Sequence, residues 1–395
     1  MECLEKPVFK NHCKGTFHRE ETFHREETFH GKGTFHGNGT LRSWTLEELR
    51  SLKIEKPDEE IFQKVLARWD GIAKPLDGMG RFEPLLAQIG AVCGTENIDL
   101  SRKAVIILCA DNGIVEEGIS QSGQEVTLAV ARNMAGRRSS AGRMAETIGA
   151  DTIPVDIGIN SREKIPGVWD KKTRAGTRNF RKEPAMTEQE ALEAILTGIE
   201  TVFECGQAGY RILAVGEMGI GNTTTSSAVT AALLDCEAAE VTGRGAGLDD
   251  EGLIRKRKII EEALARYQLR GADAFQILRT VGGLDICGLA GVCIGGALFH
   301  VPIVLDGVIS LTAALAAQRL VPGIKDYLIP SHKGKEPATE RLAEELGLRP
   351  VIDGEMALGE GTGAVMMLSL LDLALSVYRE GADFSEIQIE QYERF

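Results

Sequence analysis

Short apolar runs that end in polar, glycine-bearing turns recur between residues 104 and 334, and this recurrence restricts the fold more than any other feature. Ala104–Ala110 ends in Asp111-Asn112-Gly113, and Thr152–Val155 in Asp156-Ile157-Gly158. Ile212–Val215 leads into a glycine loop, Val301–Leu305 into Asp306-Gly307, and Tyr327–Pro330 into Ser331-His332-Lys333-Gly334. Helical patterns such as Ile309–Arg319 follow some of them. A strand that is apolar on successive residues is buried on both faces, as in a parallel sheet covered by helices. The polar loops then collect at the carboxyl edge of the strands, where open α/β sheets bind ligands.

The loop after Ile212–Val215 says most about function. It reads Gly216-Glu217-Met218-Gly219-Ile220-Gly221-Asn222-Thr223-Thr224-Thr225. Gly216, Gly219 and Gly221 allow a tight turn and a close ligand approach. Asn222 and Thr223 are expected to cap the helix Thr223–Leu234. Free N–H groups at a helix start attract anions, phosphate above all. A tight turn without ligand is the plainer reading, but Glu217 and the triple threonine argue for chemistry. There is no Gly-Lys-Ser/Thr and no Gly-x-Gly-x-x-Gly, so an ATPase or a dinucleotide enzyme is not indicated.

Two more glycine loops follow. Thr242–Asp250 precedes a helix carrying Lys256, which is either a solvated charge or a phosphate ligand. Asp249-Asp250 reads as helix-start capping. Leu358-Gly359-Glu360-Gly361-Thr362-Gly363 sets a carboxylate before the apolar helix Ala364–Tyr378. Unpaired charge is expensive to bury, so Glu360 serves either the helix dipole or proton transfer. His332 is a hydrogen-bonded loop residue or an acid–base group. No Ser/His/Asp set or carboxylate cluster with metal spacing stands out, so no metal and no cofactor are expected.

The formal net charge of −13 argues against a nucleic-acid partner. The 8 cysteines form no Cys-x-x-Cys pair and read as small core residues of a reducing, cytoplasmic protein. No secretory signal is expected. Val281–Phe299, with 6 glycines and Asp285, and Gly363–Val377, with Asp372, read as buried helices rather than membrane spans. In residues 1–42 a Thr-Phe-His repeat places His18, His24, His30 and His36 six residues apart. It is a metal-binding tract or a disordered tail, and the scarcity of aliphatic residues favours the tail. Thr45 and Glu48 form a candidate capping box.

Taken together, Ala110–Gly113, Gly123–Thr127, Gly176–Phe180, Gly216–Thr225, Gly243–Asp250, Leu305–Gly307, Ser331-His332 and Leu358–Gly363 resemble one family: nicotinate-nucleotide:dimethylbenzimidazole phosphoribosyltransferase. The resemblance runs from about Lys74 to Leu371. It implies an α/β fold with a Rossmann-like parallel sheet and flanking helices, plus a smaller helical domain built from both chain ends. The expected division is a tail at 1–42, helices of the small domain at 43–100, a phosphate-binding domain at 101–345 and C-terminal helices with the glutamate loop at 346–395. The resemblance further implies a homodimer without membrane or nucleic-acid partners.

The implied reaction moves phosphoribose from nicotinate mononucleotide to 5,6-dimethylbenzimidazole, giving α-ribazole 5′-phosphate and nicotinate in cobalamin lower-ligand synthesis. Glu360 matches the family's base, and Glu217 lies near the ribose. Gly219, Gly221, Asn222, Thr223, Lys256, Gly334 and Asp306 match phosphate- and ribose-binding positions. Ser122 and Leu358 fall by the base pocket, where Val130 replaces a glutamine. Asn112 stands where many members carry histidine. Another base or a phenol as acceptor, or a non-catalytic nucleotide-binding module, are the alternatives.

Overall fold

The computed structural model describes residues 44–245 and 247–394. The Thr-Phe-His repeat lies outside them. Six strands form one sheet: β1 Lys103–Ala110, β2 Asp151–Gly158, β3 Trp169–Asp170, β4 Ile212–Met218, β5 Ile303–Leu305 and β6 Leu328–Pro330. Their order is β3-β2-β1-β4-β5-β6, and every pairing is parallel. The order reverses between β1 and β4, so the crevice of such a sheet opens there. The two-residue β3 went unseen in the sequence because it is too short to show a period.

Alternation along the strands divides the core in two. Ala104, Ile106, Leu108, Leu213, Val215, Ile303 and Leu305 face one layer, with helices Glu188–Gln207, Leu284–Leu298 and Val308–Leu320. Val105, Ile107, Cys109, Ile212, Ala214, Val304 and Ile329 face the other, with Glu59–Gly71, Phe82–Cys93 and Thr362–Glu380. Helices from both chain ends therefore meet on one face of the sheet. Ile72 bridges Asp383, and the rings of Trp69 and Tyr378 lie 5.3 Å apart.

The apolar stretch at Val281–Phe299 is a helix, Leu284–Leu298, buried along almost its whole length. Its glycines have a packing reason. A Cβ on Gly291 would lie 1.9 Å from the Ile195 carbonyl of the neighbouring helix. The capping box of Thr45 and Glu48 is formed.

Candidate active site

The glycine loop after β4 turns at Gly221, whose φ of 91° lies in the left-handed region. Gly221 itself is the N-cap of helix Asn222–Leu233, and no side chain caps that helix. The expected capping by Asn222 and Thr223 is therefore corrected: both lie inside the first turn and their side chains point to other work. Asn222 donates its amide to Glu217 Oε2 and, at 3.2 Å, to Asp285 Oδ2. Thr223 Oγ1 accepts from Lys256 Nζ at 2.9 Å. Gly219 is required by crowding, since a Cβ there would lie 2.3 Å from the Ala110 carbonyl.

Lys256 is not a solvated charge. It is fully buried on helix Asp250–Arg266 and donates to Thr223 Oγ1 and, at 3.2 Å, to the Gly243 carbonyl. No carboxylate among the described residues forms an ion pair with it. Burial pulls its pKa down to about 8, against the opposing influence of Glu336. Glu336 instead accepts the Gly245 N–H at 3.0 Å. A buried ammonium without a carboxylate partner is one that an incoming anion would satisfy. The acidic pair of the same loop is explained locally: Asp249 caps the helix by accepting from Gly252 N at 2.7 Å, and Asp250 pairs with Arg244.

Glu360 has a φ of 59° and sits between Gly359 at 85° and Gly361 at 86°. A glutamate in this conformation is strained by about 1–3 kcal/mol and must be held by its surroundings. Asp306 holds the loop: it accepts from Gly361 N at 3.2 Å, Gly363 N at 2.8 Å and Ala364 N at 3.2 Å. Asp306 thus binds the free amides at the start of helix Thr362–Glu380, next to Glu360. His332 lies behind it, with Nδ1 3.8 Å from Asp306 Oδ1 and 3.0 Å from Ser331 Oγ. This is the hydrogen-bonded loop histidine of the plainer reading. Gly334 sits nearby, its would-be Cβ 3.8 Å from His332 Nε2.

The carboxylate of Glu360 accepts from Ala141 N at 3.4 Å, at the start of helix Ser140–Thr147. Burial raises its pKa, while the amides of Ala141 and Ser140 restrain the rise. Glu217 is close: a Cβ on Gly359 would lie 3.0 Å from Glu217 Oε1. Burial, and then the neighbouring Asp285, push Glu217 up to about 8. Two carboxylates with raised pKa values therefore lie close together, and Thr223, next to the Asn222 that holds Glu217, accepts from the buried Lys256; such clusters of shifted groups are typical of catalytic sites.

Ser122 lies half-buried before helix Glu125–Ala135, in the loop that Gln121 ties to the Gly247 carbonyl. Leu358 is 55 % exposed at the rim beside Glu360. Sequence reasoning missed the role of Asp285, noting it only as a charge in an apolar stretch. That charge was the signal, because a carboxylate inside an apolar helix needs a partner. A cleft of about 1020 Å³ lined by Arg68, Tyr378, Phe384 and Ile389 shares no lining residue with these loops.

A family model described as Phosphoribosyltransferase matches residues 54–389. A nicotinate-nucleotide–dimethylbenzimidazole phosphoribosyltransferase from Acetivibrio thermocellus is 44% identical over 85% of this chain and 95% of its own. Its counterpart from Ruminiclostridium cellulolyticum is 40% identical over 86% of this chain and 96% of its own. The chain belongs to this phosphoribosyltransferase family.

The crystal structure of CobT from Thermus thermophilus superimposes with a TM-score of 0.80 at 36% identity, covering 84% of this chain and 100% of that one. The parallel α/β fold is thus shared with a solved structure. The span matched by the family model contains all three glycine loops, both glutamates and Lys256. The repeat at the amino end falls outside it.

Proposed function

We propose that this chain transfers phosphoribose from nicotinate mononucleotide to 5,6-dimethylbenzimidazole, releasing nicotinate and α-ribazole 5′-phosphate. The observation that carries the reading is that one glycine loop joins these groups: Thr223 accepts from the buried Lys256, its neighbour Asn222 donates to Glu217, and the backbone of Glu360 packs against Gly216. Lys256, Thr223 and the glycine-loop backbone receive the phosphate. Glu217 faces the ribose. Glu360 takes the proton from the benzimidazole N–H as the other ring nitrogen attacks C1′.

The chemistry fits these residues. A nicotinate departing from a pyridinium relieves its own positive charge. Benzimidazole N–H is a weak acid, so proton removal must accompany attack, and a desolvated carboxylate is a stronger base. Attack on the face opposite the leaving nicotinate inverts β to α. Both glutamates speak against a non-catalytic nucleotide-binding module.

Ser122 and Leu358 flank the acceptor, and the open position of Leu358 favours a second reading in which other bases or phenols are also accepted. A homodimer is supported by helix Thr362–Glu380, which leaves Met366 and Leu373 exposed, with Leu370 half-buried between them on the same side. We retain a cytoplasmic location and the division at residues 43–100, 101–345 and 346–395. The test is to incubate the protein with nicotinate mononucleotide and a panel of bases and phenols and identify products by mass. Nicotinate release with an α-ribazole phosphate product is expected; no product from any acceptor overturns the reading.

A further inference from the structure

Asp285 lies in the first turn of helix Leu284–Leu298 and is fully buried. No basic side chain among the described residues pairs with it. Its Oδ1 accepts from Ile286 N at 3.0 Å, and its Oδ2 from the Asn222 amide at 3.2 Å. The same Asn222 nitrogen donates to Glu217. One carboxamide thus stands between two carboxyl groups.

We propose that Asp285 is a positioning residue for the transfer reaction: through Asn222 it fixes Glu217 and, by like charge across that bridge, keeps Glu217 protonated near neutral pH. Glu217 then offers an O–H to the donor's ribose, and Glu360 alone serves as base. This rests on the reading of Glu217 as facing the ribose. Two ionised carboxylates on either side of one amide are costly in a desolvated site. Burial pushes Glu217 up to about 8 and Asp285 to about 6. Such a pair titrates as a unit and holds one proton between these limits.

The other groups facing the pair strengthen the argument. Asp306 and Glu360 add negative charge toward Glu217, and Asp111 adds it toward Asp285. Glu360, by contrast, has the Ser140 and Ala141 amides directed at its carboxylate. Both pKa values are raised by burial, but amides oppose the rise at Glu360 whereas neighbouring carboxylates add to it at Glu217, the kind of difference that separates acid from base.

The test is the pH dependence of kcat with nicotinate mononucleotide saturating, so that bound phosphate keeps Lys256 charged. The parent should lose activity as pH rises through about 8, the value set for Glu217. In Asp285→Asn that alkaline limb should move down by about one pH unit, while the acid limb stays. In Glu217→Gln the alkaline limb should vanish, and adding Asp285→Asn should leave the profile's shape unchanged. Superimposable parent and Asp285→Asn profiles, whatever the fall in kcat, overturn the proposal.

Should Asp285→Asn not fold, Asp285→Ser removes the same charge. The parent also carries a test of its own. Infrared spectroscopy should show a protonated carboxyl at neutral pH that Glu217→Gln lacks, and its absence overturns the proposal. A parent inactive with every acceptor would instead defeat the functional reading, and the infrared measurement would still decide the protonation.

Discussion

The backbone of Glu360 rests directly on Gly216: a Cβ placed on Gly216 would lie 2.5 Å from the Glu360 carbonyl carbon. A glycine of β4 thus fixes how deeply the base loop sits in the site. Gly216→Ala should therefore displace Glu360 and lower kcat by on the order of 10²-fold, the usual cost of about 1 Å of misplacement. The variant should still bind nicotinate mononucleotide, because Lys256 is untouched. Calorimetric binding alongside initial rates checks this, and an unchanged kcat would show that the loop is not seated by Gly216.

Glu360→Gln should slow transfer by about 10²–10⁴-fold while the fold survives. The parent's rate should fall with acid at a pH above the ordinary glutamate value of 4.5, because burial raises the Glu360 pKa and only the ionised form accepts a proton. Turnover within about threefold of the parent would remove Glu360 from the base's role, since it falls short of the range for general bases.

Lys256→Met should stabilise the ligand-free protein by about 0.5–2 kcal/mol, because it replaces a buried charge lacking a carboxylate partner by an apolar side chain. The same variant should lose nicotinate mononucleotide far more than dimethylbenzimidazole. The pH dependence has a definite sign. Between about 8 and 10.5 the unfolded chain holds this proton more firmly than the folded one, so this group's contribution to stability rises with pH across that window. Thermal melts with and without nicotinate mononucleotide measure both effects. A lower melting temperature in the ligand-free variant would contradict the first.

Activity should persist in excess EDTA. A nicotinate leaving group departs by neutralising its own pyridinium, and Asp249 and Asp250 are already occupied with Gly252 N and Arg244. Initial rates with EDTA, with Mg²⁺ and after metal stripping decide it. A rate that collapses in EDTA and returns with Mg²⁺ would overturn both the mechanism and the local role of that pair.

The sequence by itself determined the parallel sheet and the loops that carry the site. Runs such as Ala104–Ala110 and Ile212–Val215 are too apolar to lie anywhere but between two layers, and β1 and β4 contain them. The glycine loops were legible because few other residues tolerate the left-handed turn at Gly221 or the crowding at Gly219. Tertiary structure alone decided which side chains those loops pair. Asn222 follows a helix-start glycine, and its sequence context suggests a cap; two carboxylates within hydrogen-bonding reach of its nitrogen give it a bridge to make instead. Asp306 reads as a ligand position through the family pattern alone, and the bonds that both its oxygens accept from Gly361 N and Gly363 N, at the start of a distant helix, are visible only in the structure. Lys256 reads as either a solvated charge or a phosphate ligand, and only its burial against Thr223 and Gly243 removes the first alternative. Local propensity is written residue by residue, whereas burial and charge pairing depend on segments brought together from far along the chain.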